Sequence, residues 1–82
     1  MCRSIKTLRR AETAATTGEL EAAARQYVRK ISGYRSPSAR NAAVFEAAIA
    51  DVAASSRRLM EALGVAVQDG PDPMDRPKAR LA

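Results

Sequence analysis

Thr16-Thr-Gly-Glu19-Leu-Glu-Ala-Ala-Ala-Arg-Gln-Tyr-Val-Arg-Lys-Ile-Ser-Gly33 contains a start signal, an apolar stripe and a stop signal for one helix. Thr16 and Glu19 have the spacing of a capping box, in which each side chain satisfies a backbone amide that the first turn leaves free. The apolar residues Leu20, Ala23, Ala24, Tyr27, Val28 and Ile31 recur at helical period and form one stripe. Glu21, Arg25 and Arg29 face away from it. Gly33 supplies the left-handed residue that ends the helix.

Outward from this helix, Ser36-Pro37-Ser38 is a second start signal, because proline is tolerated in a first turn and serine can cap. Ser38 is the preferred cap, which leaves Pro37 in the connection. Phe45, Ile49, Val52, Ser56, Leu59 and Leu63 then follow a heptad-like spacing with one polar member, and Gly64 ends the run. A helix from Ser38 to Leu63 spans about 39 Å, against about 24 Å for the first, so it is expected to outrun its partner. Ahead of the first helix, Ile5 and Leu8 sit among basic residues as an arm that packs through these two side chains. From Gln68 onward the chain is rich in proline and poor in large apolar residues, and a disordered tail is expected. The predicted fold is all-α: the N-terminal arm and an antiparallel two-helix hairpin over residues 1–66, then a disordered tail over 67–82.

Composition bounds the core. A chain of 82 residues has room for one small domain, and its 46% hydrophobic content includes 18 alanines, which favour helix but bury little area. A hairpin with so thin a core is expected to dimerise into a four-helix bundle. The single cysteine cannot form an intramolecular disulfide, and there is no apolar run of transmembrane length, so a cytoplasmic protein with no membrane partner is expected. The formal charge of +5 is uneven, with an excess of +6 over residues 1–41 and −1 over residues 42–82. Such asymmetry fits an acidic or polyanionic partner for the first half, and equally a solvated arginine-rich surface.

Four stretches carry a resemblance: Met1-Cys-Arg-Ser-Ile-Lys-Thr-Leu8, Gln26-Tyr-Val-Arg-Lys-Ile-Ser-Gly-Tyr34, Pro37-Ser38 and Val52-Ala-Ala-Ser-Ser-Arg-Arg-Leu-Met-Glu-Ala-Leu63. Together they resemble an uncharacterised bacterial family, domain-of-unknown-function family 2277, over residues 1 to about 63. Where the family typically reads Asn-Phe-Glu-Pro-Pro-Ala-Thr before the first helix, this chain has Arg10-Ala-Glu-Thr-Ala-Ala-Thr16. The resemblance implies a bacterial setting and supports the fold, and it assigns no reaction.

Candidate sites are few. Removal of Met1 is expected to leave Cys2 with a thiol beside an α-amine, and Arg3 and Lys6 would favour its thiolate. With no histidine to act as base and no second cysteine, neither a cysteine hydrolase nor a zinc site can be completed within one chain. The alternative is that Cys2 packs as a small apolar side chain beside Ile5. At the second helix start, Arg35, Ser36, Ser38 and Arg40 could hold a phosphate or carboxylate, or could simply cap. The basic arm of Arg3, Lys6, Arg9 and Arg10 could contact nucleic acid phosphates, although no recognition helix or stacking platform accompanies it. Glu46, Asp51 and Glu61 point in different directions and form no carboxylate pair. Ala43, Ala47, Ala50 and Ala54 share one face, where another helix could approach closely or alanine could merely meet solvent.

No enzyme, metal or cofactor is expected. The leading functional expectation is a non-enzymatic helical module that forms a homodimer and docks on a protein partner of unknown identity. The alternatives are weak, non-specific association with RNA or the ribosome, and a small thiol protein acting through Cys2.

Overall fold

A computed structural model describes residues 5–10 and 13–73, in the order β1 (Ala15–Thr16), α1 (Thr17–Ser32), α2 (Ala42–Ala62) and β2 (Val67–Gln68). The two helices form the expected antiparallel hairpin. Thr16 caps α1 from an extended conformation: its hydroxyl accepts from the Glu19 amide at 3.1 Å, and the Glu19 carboxylate accepts from the Thr16 amide at 3.0 Å. Gly33 closes the helix at φ 78°, and its N–H donates to the Arg29 carbonyl.

The second helix begins later than its sequence suggests. Residues 38–41 form a tight turn in which the Asn41 N–H donates to the Ser38 carbonyl at 2.9 Å, and Asn41 itself sits at ψ 0°, off the helical value. The i to i−4 ladder therefore opens with the Phe45 N–H on the Asn41 carbonyl, and Ser38 is no cap. At 21 residues against 16, α2 exceeds α1 by about 8 Å rather than about 15 Å. Its C-terminus is the expected glycine stop: Gly64 lies at φ 85°, the Gly64 N–H meets the Glu61 carbonyl, and the Val65 N–H meets the Met60 carbonyl. These two bonds make a Schellman motif.

Two apolar clusters line the hairpin. Ala24 and Val28 pack on Phe45 and Ile49 toward the connected end, with Ala48, Val52 and Ala53 at their margin. Toward the open end Leu8, Ala15 and Leu20 pack together with Met60 and Val67 beside them. The extra length of α2 is thus covered by the arm and β2. The predicted heptad seam holds for Phe45 and Ile49, but Leu59 and Leu63 are 58% and 59% exposed, and Met60 takes the inward place. Two straight helices do not keep a strict 3.5-residue repeat in register, so the contact line moves across α2 from Phe45 toward Met60. Ser56 turns its hydroxyl back onto the Val52 carbonyl at 2.7 Å.

The departure from an all-helical reading is a parallel pairing of β1 with β2, Ala15 opposite Val67 and Thr16 opposite Gln68. The molecule is therefore mostly helical with a two-residue sheet at the mouth of the hairpin. Residues 67–73, expected to lie in a free tail, run across the start of α1; residues 74–82 of that tail lie outside the described residues.

Candidate functional site

Three stretches of chain meet at the first turn of α1. Glu19, 2% exposed, lies within that turn and receives the arm. Besides the Thr16 amide, its carboxylate receives the Arg10 guanidinium in a two-pronged contact, Nη1 to Oε2 and Nη2 to Oε1, both 2.9 Å, and the Lys6 ammonium approaches Oε2 at 3.5 Å. Arg10 also donates from Nε to the Thr13 hydroxyl and from Nη2 to the Ala14 carbonyl. The geometry is the fork that matches guanidinium to carboxylate. Arg10 in first place, together with the Thr16 amide and the Lys6 charge, holds the Glu19 carboxyl at about 2, against the burial that would raise it. Among the described residues no buried side-chain nitrogen or oxygen lacks a partner.

From the other side residues 70–72 close over the same turn. The Gly18 N–H donates to the Gly70 carbonyl at 2.9 Å, Thr17 exchanges hydrogen bonds with the Gly70 backbone, and the Thr16 hydroxyl donates to the Pro71 carbonyl at 3.1 Å. Gly18 is the contact that permits this approach. A Cβ there would run into the Asp72 backbone nitrogen and would lie 2.6 Å from the Pro71 carbonyl carbon. The Thr16, Gly18 and Glu19 N–H groups at the start of α1 are thus taken up by groups of the chain itself.

Two open clefts flank Arg10. One, of about 600 Å³, is lined by Lys6, Arg10, Thr13, Ala14, Thr16, Gln68 and Pro73. The other, of about 410 Å³, runs between Arg9 and Arg10 and the Leu63–Ala66 stretch.

Of the residues singled out in the sequence, Cys2 and Arg3 lie outside the described residues. Lys6 and Arg10 are brought together by Glu19, and Arg9 is exposed at the edge of the smaller cleft. Arg35, Ser36, Ser38 and Arg40 are exposed in the connecting loop, ahead of the helix rather than around its first turn. Glu46 is drawn into an ion pair with Arg25 at 2.9 Å, which holds its carboxyl below the usual range, and Glu61 pairs with Arg57 at 3.1 Å. Asp51 is exposed, as are Ala43, Ala47, Ala50 and Ala54. Among the described residues no group of three or more histidine, cysteine, aspartate or glutamate side chains could hold a metal ion. None of the helices found among them is long and apolar enough to cross a membrane. Sequence reasoning read Glu19 as a cap only.

A second surface is apolar. Steps of about 100° per residue put Arg25 and Glu46 on one flank of the hairpin and Tyr27 and Val44 on the other. The first flank is closed by the Arg25–Glu46 pair. On the second, Tyr27 is 46% and Val44 68% exposed; beside Tyr27, at the outer edge of this flank, the Ile5 N–H donates to Gln26 Oε1 at 3.1 Å while Ile5 stays 43% exposed. Ile31 (67%) and Tyr34 (51%) are exposed at the connected end, with the Tyr34 ring against Phe45 at a centroid distance of 5.8 Å.

No curated protein and no solved structure matches the chain. A family model described as "Uncharacterized conserved protein (DUF2277)" matches residues 1–81, almost the whole chain and further than the resemblance in the sequence reached, so the protein belongs to that family.

Proposed function

We propose that this protein is a non-enzymatic helical interaction module that self-associates through the flank of the hairpin carrying Ile5, Tyr27 and Val44. The observation that supports this reading is the division between a thin interior and an apolar exterior. The buried hydrophobic residues among those described are Leu8, Ala15, Leu20, Ala24, Val28, Phe45 and Ile49, two of them alanines, while comparably large side chains remain in water on one flank. Burying such side chains against a second copy gains about 1.5–3 kcal/mol for each one fully covered. Small domains commonly make up a thin core by association. The flank also carries Gln26 and Lys30 at its edge, the polar rim that an interface of this kind requires.

Light scattering on the purified chain at micromolar concentration is the test. The expected mass is about twice the 8.8 kDa of one chain. The paired substitution Tyr27→Glu and Val44→Glu is expected to return the mass to that of one chain without loss of helicity, because both side chains are exposed in the single hairpin. A wild-type mass of one chain, or a double variant that still associates, would overturn the reading. Polyanion binding by the arm has weaker support, since Lys6 and Arg10 are gathered at one carboxylate, which offsets one of their two charges, rather than spread along a track of phosphates.

A further inference from the structure

Beyond the Glu19 contacts, the larger cleft is left with unspent hydrogen-bond donors and surplus charge. A guanidinium has five N–H donors, and Arg10 directs four of them to Thr13, Glu19 and Ala14, which leaves one on Nη1. Lys6 has three donors, and among the described residues its close acidic contact is a 3.5 Å approach to Glu19. The Thr13 hydroxyl accepts from Arg10 and has its own proton to give, and the Gln68 side chain adds an amide to the same wall. Among the described lining residues the charged ones are Lys6 and Arg10, and the Glu19 carboxylate behind them offsets one of the two charges. Ala14 and Pro73 form its apolar part. A volume of about 600 Å³ exceeds that of a bare inorganic ion and falls in the range of small-molecule sites.

We infer that the cleft between the arm and β2 binds a small organic anion, with its carboxylate or phosphate head held by Lys6, Arg10, Thr13 and Gln68 and its body against Ala14 and Pro73. The two stretches that supply these residues both close on the first turn of α1, so the head group would bridge the arm to residues 68–73. The donors are fixed before the ligand arrives, because Glu19 and the Ala14 carbonyl hold the guanidinium in place; such preorganisation spares the ordering cost of binding. The depressed carboxyl of Glu19 agrees with a positive local potential. A polynucleotide fits less well, since a concave site with few convergent donors suits one head group rather than a run of phosphates.

Titration of the full chain with pyrophosphate and with citrate, at constant ionic strength and followed by amide chemical shifts, tests this. Saturable shifts are expected for residues 6–10, 13–16 and 68–73 with at least one of the two probes. Lys6→Gln is expected to weaken binding about tenfold, the loss of one charge-assisted hydrogen bond, and Gln68→Ala to weaken it less. Arg10 is unsuited to the test because its loss would unfold the site. Lys30→Gln should leave binding unchanged. Shifts that fail to saturate with both probes, or wild-type affinity in both the Lys6 and Gln68 variants, would overturn the inference. So would tighter binding of an oligoribonucleotide with shifts centred on Arg29, Lys30, Arg35 and Arg40. The Tyr27→Glu, Val44→Glu chain can be titrated in the same way, so the outcome is separable from self-association.

Discussion

At the connected end of the hairpin Ala24, Val28, Phe45 and Ile49 pack through apolar contact, and the polar tie across the helices is the exposed Arg25–Glu46 pair. At the open end the apolar cluster of Leu8, Ala15 and Leu20 is accompanied by a buried carboxylate, two cations, a capping hydroxyl and the backbone of residues 70–72. The difference follows from chain connectivity. A short loop keeps the first end together at little entropic cost, whereas the second must gather segments 53 to 55 residues apart in sequence. Directional bonds choose one arrangement there, where apolar contact alone would tolerate many.

The largest effect should come from Glu19. Glu19→Ala removes the carboxylate and leaves the Arg10 guanidinium half-buried without its partner, and the expected loss is about 3–5 kcal/mol in urea unfolding. Acid should reach the same group from another direction. Because folding lowers this carboxyl from its ordinary 4.5 to about 2, its contribution is present in full above pH 4.5 and fades as pH falls through about 2, with about 3 kcal/mol at stake. Thermal melts from pH 5 to pH 2 should fall steeply for the wild type and clearly less for Glu19→Ala, in which the Glu46 carboxyl beside Arg25 still contributes to the slope. Equal slopes would mean that the open end is not held by this carboxylate.

A middle-sized effect is expected at Gly18. Gly18→Ala sets a methyl group against the backbone of residues 70–72 and should release that segment at a cost of about 1–3 kcal/mol. Hydrogen exchange should then speed up at residues 67–72 and remain slow at Phe45–Val52, which localises the damage to one end. The smallest effect is expected at the connected end. Arg25→Gln breaks an ion pair between groups about a third and more than half exposed, so it should cost under about 1 kcal/mol, and less at high salt. A larger loss would show that the two ends are held alike.

What was legible in the sequence was local. The Thr16 and Glu19 box and the glycine stops at Gly33 and Gly64 depend on neighbours within a few residues and stand as read. Of the six-residue stripe, Leu20, Ala24 and Val28 are buried, while Tyr27 and Ile31 are exposed at its margins. The start of α2 was misplaced because Ser38 offers a good cap by type, while the turn closed by Asn41 onto Ser38 is set by the path of the loop. Gln68 to Pro73 read as tail because glycine and proline seldom support regular structure, yet Gly70 and Pro71 present backbone carbonyls to the Thr16–Gly18 turn. The candidate cleft was only half visible. Lys6 and Arg10 stood out by charge, but their neighbours Gln68 and Pro73 come from the far end of the hairpin, which no spacing rule reaches.

The parallel pairing of Ala15–Thr16 with Val67–Gln68 also decides where the folded unit can be attached to anything else. Lys6 and Pro73, 67 positions apart in sequence, stand in the walls of one cleft, so both sides of the paired strands open on the same face. A label attached at Lys6 or Pro73 would therefore crowd the mouth of the cleft, and one carried in the exposed loop between Gly33 and Asn41 would sit at the opposite pole.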